Sequence, residues 1–161
     1  MSARIKHVFL TRFNVPSPGR ELYLRSKPGW LADRFRLFRD YCLPSVAQQT
    51  ETDFDWVIFF DRKTPAEFRQ TISDLQKVFP FYAEFTDLFM MPQIIPAVLP
   101  RYADCDWLLT TRLDSDDILA VDHVARLREA ARAGAAEVFN FPNGAILSAG
   151  AAPRLYRIVD R

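Results

Sequence analysis

The chain has 161 residues, with 21 lysines and arginines against 20 aspartates and glutamates, and a formal net charge of +1. This length suits one domain with its own apolar core, and we expect residues 1–161 to form a single unit. The balanced charge gives no general attraction for polyanions, so the sequence does not favour a nucleic-acid-binding protein.

The chain carries no pattern that predicts a secreted or membrane-spanning protein. Its N-terminus lacks an apolar signal segment, and no window of about 20 residues is free of charge or proline. Cys42 and Cys105 lack metal-ligand spacing, which favours two reduced thiols in a cytoplasmic protein over a disulfide. The apolar segment 88–100 contains three prolines spaced four apart, so we expect a loop or broken helix. It is either a buried connector or a lip for an acceptor or a membrane surface.

The first half of the chain alternates predicted strands with predicted helices. β-branched and aromatic residues predict a strand at 6–13, and prolines and glycines predict a loop from Asn14 to Gly29. Apolar residues at helical spacing predict a helix from Trp30 to about Leu43, which Pro44 should bend or end. The apolar run 55–60 predicts a second strand, buried on both faces.

The second half continues the alternation. Thr64-Pro65-Ala66-Glu67 has the form of a capping box, with proline at the first position of a helix that runs to about Val78. The remaining predicted elements are a short strand at 80–85, a strand at 107–113, a helix at 118–133, a strand at 137–141, and a hairpin turn at Asn143–Gly144 leading into 145–147. This order predicts a three-layer α/β/α sandwich with a mainly parallel sheet.

An acidic cluster follows the strand predicted at 107–113. Asp114, Asp116 and Asp117 would repel one another unless a cation or a bound ligand offsets their charge. Carboxylate oxygens favour magnesium, calcium or manganese, and a D-x-D step lets one ion bridge two carboxylates to a phosphate. The alternative is a solvated acidic turn in which Asp117 caps the next helix. The position after a buried strand favours a functional site, because open parallel sheets bind ligands at that edge.

Polar residues also end the two earlier predicted strands. Thr11, Arg12 and Asn14 end the first, and Asp61 ends the second. In a parallel sheet these groups converge with the acidic cluster on one crevice. The arginines at 12 and 112 are either structural partners of the acids or contacts for a phosphate. The two histidines, at 7 and 123, stand near no candidate nucleophile, and we interpret them as a strand residue and a residue on the surface of a helix.

Four blocks in this order resemble one known family. They are LTRFN at 10–14, WLADRFRLFRDYCLPSVAQQT at 30–50, DFDWVIFFD at 53–61 with TP at 64–65, and TTRLDSDD at 110–117. They resemble the bacterial family described as putative rhamnosyltransferases, which is similar in turn to inverting glycosyltransferases with a GT-A, nucleotide-sugar-binding fold. The resemblance implies a sugar donor activated by a nucleoside diphosphate, with uridine or deoxythymidine as the base.

The resemblance also implies a set of site residues. In related enzymes the aspartate that ends the second strand contacts the nucleobase, which matches Asp61, and the D-x-D lies near the ribose and the metal, which matches Asp114 and Asp116. We therefore expect a divalent ion, manganese or magnesium, on these last two carboxylates. The nucleotide-sugar-binding residues that we predict are Thr11, Arg12, Asn14, Asp61, Arg112 and Asp114.

The implied activity is transfer of a sugar, with rhamnose suggested by the family name, to a glycan or lipid-linked acceptor with inversion. An inverting transfer needs a carboxylate base, and we assign no catalytic residue, because only 44 residues follow Asp117. We expect the N-terminal, donor-binding portion of a longer enzyme, with apolar surface left uncovered around 88–100 and 146–156. The alternative is a non-catalytic nucleotide-sugar-binding module. A dehalogenase-type phosphatase is disfavoured because no lysine follows Lys77, and a calcium loop is disfavoured because Leu119 replaces its glycine.

Overall fold

The computed structural model describes residues 3–17, 20–134, 136–148 and 154–159. Four parallel strands form its main sheet in the order β3-β2-β1-β4. The strands are β1 (Ile5–Arg12), β2 (Asp55–Asp61), β3 (Tyr82–Thr86) and β4 (Trp107–Arg112). The helices are α1 (Arg20–Arg25), α2 (Trp30–Leu37), α3 (Leu43–Ala47), α4 (Ala66–Val78), α5 (Met91–Val98) and α6 (His123–Ala130). The predicted parallel α/β fold with a GT-A-like arrangement is confirmed.

The sheet is apolar on both faces, which produces three layers. Along β2, Trp56, Ile58 and Phe60 lie on one face, and Val57 and Phe59 lie on the other. The first face packs against α2, α3, α4 and α6, and the second against α5 and the 3₁₀ turn that follows it, Leu99–Tyr102. Both faces of β2 are therefore covered, and its two charged residues, Asp55 and Asp61, are its first and last.

The helix predicted from Trp30 to about Leu43 extends four residues farther, to Ala47, because a π-helical turn before Pro44 accommodates this proline. The turn, Phe38–Cys42, joins α2 to α3. Within it the Leu43 N–H donates to the carbonyl of Phe38, five residues back. Pro44 lacks an N–H and would clash with the carbonyl four residues before it in a regular helix, and a wider turn accommodates both.

Several local predictions at the helix ends are wrong. The predicted loop 14–29 contains α1. Thr64 does not cap α4, because its hydroxyl donates to the Asp61 carbonyl instead. The helix predicted at 118–133 is limited to α6, since 118–122 is held in turns by hydrogen bonds from α3 and from residues just after it. His123 opens α6 half-buried against the Phe141 ring, 4.6 Å away, and not on the helix surface.

The segment after α6 also differs from prediction. Residues 137–141 form no strand, and Val138 is 97% exposed. Asn143 and Gly144 lie within a strand, β5 (Asn143–Ser148), which pairs antiparallel with β6 (Arg154–Val159). The predicted hairpin turn at Asn143–Gly144 is therefore wrong, because both residues lie within β5. The residues between β5 and β6 lie outside the described part of the chain.

Apolar side chains are exposed in both segments where the sequence predicted uncovered surface. On α5 and its ends, Ile94 and Val98 face the core. The exposed apolar residues around them are Leu88, Met90, Met91, Ile95 and Leu99. On the β5–β6 hairpin the exposed apolar residues are Ile146, Leu147, Leu155, Tyr156 and Ile158. Among the described residues, no helix combines the length and apolarity that crossing a membrane requires.

The buried histidine of β1 makes the stability of the fold depend on pH. His7 is 1% exposed and its Nε2 lies 2.8 Å from the Thr111 hydroxyl. The pKa of His7 is lowered from 6.5 to about 4, mainly by burial and also by the charges of His123 and Arg128. The unfolded chain therefore takes up this proton first as the pH falls.

We predict that the free energy of unfolding is constant above about pH 7 and falls by about 3 kcal/mol between pH 6.5 and 4, because the folded state resists protonation at His7. Urea unfolding at a series of pH values measures this. His7→Gln should flatten the profile in that window, whereas His123→Gln should keep most of the slope. An unchanged slope in His7→Gln would assign the effect to other groups.

Candidate functional site

The loops that follow β1 and β2 are joined by one buried amide. The Asn14 Oδ1 accepts the backbone N–H of Asp61 at 2.9 Å, and its Nδ2 donates to the Thr64 hydroxyl at 3.1 Å. Thr64 in turn donates to the Asp61 carbonyl at 2.7 Å. Each of these three side chains is buried, and together they fix the direction in which the Asp61 carboxylate leaves the strand end.

The Asp61 carboxylate is paired but retains acceptor capacity. Arg25 Nη2 donates to Oδ2 at 2.8 Å, and the Lys63 N–H donates to Oδ1 at 2.8 Å. The Arg25 and Asp61 side chains are only 15% and 10% exposed, so the pair is well shielded from water. A carboxylate offers about four acceptor positions, which leaves room for a ligand N–H. A cavity of about 380 Å³ opens beside it, lined also by Asn14, Trp30 and Thr64.

A second, smaller cavity lies at the acidic cluster. It has a volume of about 180 Å³ and is lined by Arg12, Phe13, Arg34, Asp114, Ser115 and Asp116. Arg34 Nη1 lies 2.7 Å from Asp116 Oδ1. Two arginines and two aspartates therefore line one space, which can hold an anion and a cation side by side.

Trp30 connects the two cavities. The Arg25 guanidinium lies 5.8 Å from the centre of the indole ring, and the Arg34 guanidinium lies 5.3 Å from it. Cation–π contacts of this kind hold the planes of arginine side chains in place. The contacts form a chain from Asp61 through Arg25, Trp30 and Arg34 to Asp116, so the two carboxylates are linked across the edge of the sheet.

Polar side chains of the π turn and of the segment after it hold the acidic cluster and the residues that follow it. Cys42 is fully buried and its thiol donates to the Asp114 carbonyl at 3.7 Å. Ser45 accepts the Leu119 N–H at 3.2 Å. Gln49 donates to the Ala120 carbonyl at 2.8 Å and accepts the Val124 N–H at 3.0 Å.

Gln49 therefore caps α6, whose own N-cap residue makes no side-chain cap bond.

The carboxylates of the cluster are close enough to affect one another. Partial burial raises the pKa of Asp117, and the charges of Asp114 and Asp116 raise it further, while Arg34 opposes the effect. Arg112 lies 3.7 Å from Asp114 but is largely exposed. Within the described residues, no group of three or more histidine, cysteine, aspartate or glutamate side chains is arranged to hold a metal ion. The two D-x-D carboxylates alone would leave most of a metal's shell to a ligand.

The structure brings together most of the predicted site residues, but not all. Asn14 and Asp61 meet at the larger cavity, and Arg12, Asp114 and Asp116 meet at the smaller one. Thr11 is fully buried and its hydroxyl accepts the Trp56 indole N–H at 2.8 Å. This hydrogen bond places Thr11 in the core, which is at odds with its predicted role in binding the donor.

Sequence reasoning missed three residues of the site: Arg25, Trp30 and Arg34. Trp30 and Arg34 stand in one of the four blocks quoted above, where they were interpreted only as parts of a helix. Arg25 falls in a segment interpreted as a loop. A tryptophan with arginines five residues before and four residues after it is a signal that could have indicated them.

The parallel β3-β2-β1-β4 sheet flanked by helices, with acidic and basic residues at its carboxyl edge, is a GT-A-like α/β/α fold. The family model described as putative rhamnosyl transferase matches residues 6–154. The chain belongs to this family. None of the curated proteins matches the chain.

The anchoring of the acidic segment leads to a stability prediction. Gln49→Ala should lower the free energy of unfolding by about 2–4 kcal/mol, because it leaves buried backbone groups of the segment without partners. Urea denaturation measures the loss. The matched control is Gln48→Ala, which changes an exposed glutamine one position away and should cost under about 0.5 kcal/mol. Equal losses in the two variants would contradict the anchoring role.

Proposed function

We propose that the carboxyl edge of the sheet binds a uridine or deoxythymidine diphosphate sugar and that the protein transfers the sugar with inversion. The observation that carries the proposal is the pair of cavities linked by the Arg25–Trp30–Arg34 contacts. One cavity offers an oriented carboxylate, and the other is lined by two arginines. A nucleoside diphosphate needs these two kinds of partner at its two ends.

The larger cavity suits the nucleobase. Asp61 is an acceptor held in a fixed direction, and a uracil or thymine ring presents an N–H to such a group. Trp30 supplies an apolar wall. Asn14 and Thr64 also line the cavity, and the hydrogen bond between them fixes their side chains. Fixed polar groups on an apolar surface give orientation and specificity to a ligand. Asp114, which lines the smaller cavity, is proposed to lie near the ribose.

The smaller cavity suits the diphosphate. Arg12 and Arg34 present guanidinium groups, which bind phosphate oxygens in a bidentate manner. When the bond between sugar and phosphate breaks, negative charge grows on the leaving nucleoside diphosphate, and fixed cations at this point stabilise it. Arg112 lies outside the walls of this cavity and is proposed only as an outer contact through Asp114.

The smaller cavity also offers oxygen ligands that suit a divalent ion. The oxygens of Asp114 and Asp116 are hard ligands of the kind that manganese and magnesium prefer. A bound ion would supply charge stabilisation to the leaving diphosphate. Arg34 already holds Asp116 at 2.7 Å, so this arginine competes with an ion for the carboxylate and becomes free to contact phosphate when the ion binds.

The donor's sugar, for which the family description names rhamnose, and a glycan or lipid-linked acceptor complete the proposal. A cytoplasmic location is also part of it. Cys42 and Cys105 are free thiols, as in proteins of reducing compartments. The alternative, a module that binds the donor without transferring its sugar, would show the same nucleotide binding and no turnover.

The first test is a thermal-shift panel of uridine, deoxythymidine, guanosine and adenosine diphosphates, each with and without manganese. At 100 times its dissociation constant a ligand stabilises the fold by about 2.7 kcal/mol, which gives a measurable shift. We expect the largest shifts for the pyrimidine nucleotides with manganese, and we expect Asp116→Asn to lose the manganese-dependent part. Asp104→Asn, at an exposed aspartate near β4, is the control. Equal shifts in the wild type and Asp116→Asn would refute the site.

The second test concerns the competition at Asp116. Arg34→Gln should tighten manganese binding by about fivefold, because the carboxylate loses its internal cation, and should weaken binding of the nucleoside diphosphate. Electron paramagnetic resonance of free manganese measures the first effect, and calorimetry measures the second. Arg36→Gln, on the same helix but exposed and paired with Asp33, should change neither. Weaker manganese binding in Arg34→Gln would contradict the competition.

A further inference from the structure

A groove of about 670 Å³ lies between the β5–β6 hairpin and the acidic cluster. One wall is formed by Leu37, Tyr41 and residues 116–120, and the other by residues 143–147 and Leu155. The hairpin stands away from the body, since Ile146, Leu147 and Leu155 are each at least half exposed. The volume falls within the range of small-molecule sites in proteins.

The groove adjoins the cavity that is proposed for the diphosphate, because Asp116 lines both. In a glycosyl transfer the acceptor hydroxyl must approach the sugar carbon that is bonded to the diphosphate. An acceptor must therefore occupy a space that shares a wall with the diphosphate cavity. The groove meets this geometric requirement. The exposed apolar side chains of α5 do not, because α5 packs on the other face of the sheet.

The groove has two chemically different ends. Asp116 and Asp117 place negative charge at the end next to the diphosphate cavity. Most of the other lining residues are aliphatic, among them Ile118 and the cross-strand pair Leu147 and Leu155 on one face of the hairpin. The acidic end disfavours an anionic acceptor and can accept a hydrogen bond from a neutral hydroxyl. The aliphatic walls favour a hydrocarbon chain.

We propose that this groove is the acceptor site and that the acceptor is amphipathic, with a neutral hydroxyl-bearing head at Asp116 and an apolar tail along the hairpin. The inference rests on the proposed function, since it takes the donor's position from it. It narrows the acceptor from any glycan or lipid-linked molecule to one with a hydrocarbon portion next to the hydroxyl group.

The test uses two probes with the same sugar head, methyl β-glucoside and n-octyl β-glucoside, the latter below its micelle-forming concentration. Binding to the full chain is followed by ligand-observed NMR titration in the presence of uridine or deoxythymidine diphosphate with manganese. We expect octyl glucoside to bind at least about tenfold more tightly than methyl glucoside, because its chain is removed from water along the aliphatic walls.

Leu147 and Ile158 provide a matched pair of variants on opposite faces of the hairpin. Leu147 lines the groove and is 50% exposed, whereas Ile158 does not line it and is 43% exposed. Leu147→Ser should weaken octyl glucoside binding by about fivefold and leave methyl glucoside binding unchanged. Ile158→Ser should affect neither probe. Circular dichroism shows whether each variant is folded, and Leu155→Ser replaces Leu147→Ser if that variant is not.

The outcomes separate this inference from the proposed function. Equal binding of the two glucosides, or equal losses in the Leu147 and Ile158 variants, overturns the acceptor site even when the nucleotides shift the melting temperature. Octyl glucoside binding that depends on Leu147 in a protein that binds no nucleotide supports an apolar site but overturns the proposed function. A dimer in sedimentation that octyl glucoside dissociates would assign the groove to a second copy of the chain and overturn the acceptor site.

Discussion

The buried amide of Asn14 is the interaction on which the carboxyl edge depends. Its oxygen accepts the backbone N–H of Asp61 at the end of β2, and its nitrogen donates to the hydroxyl of Thr64 in the loop that follows. Both partners are buried, so the loss of either bond would leave a polar group without water. A rigid connection between the ends of β1 and β2 lets Asp61 keep one direction without a ligand, which lowers the cost of ordering the site on binding.

Charge compensation organises the rest of the cleft. Acidic groups at the ends of β2 and β4 face arginines from α1 and α2, and Trp30 lies between the two pairs. A ligand that carries both an N–H donor and a diphosphate can exchange with these internal partners without leaving a buried charge unpaired. The same contacts connect the two ends of the site, because Arg34 pairs with Asp116 and also lies over the Trp30 ring.

The sheet and its converging ends could be predicted because buried parallel strands carry a local signal, as in the run Trp56 to Phe60. The boundaries of α6 could not be predicted. Ile118 and Val121 have helical spacing, but the turns around them are set by the Leu119 N–H donating to Ser45 and the Thr50 N–H donating to Val121, which are far apart in sequence. The arginine partners were missed for a similar reason. Which carboxylate an arginine meets is decided by packing, and the sequence shows only that both charges exist.

The π turn has a consequence for how the cleft tolerates changes in chain length. A π turn holds one more residue than an α turn, so α3 keeps the direction that it would have if that residue were absent. Each residue advances an α-helix by about 100°, so regular α winding through Phe38–Cys42 with no residue removed would rotate α3 by that angle. Ser45 and Gln49 would then point away from the segment that they hold, although every side chain of the cleft would still be present. Deleting one residue of the turn would leave α3 in place, and inserting one would rotate it, so the acidic edge tolerates a shorter turn better than a longer one.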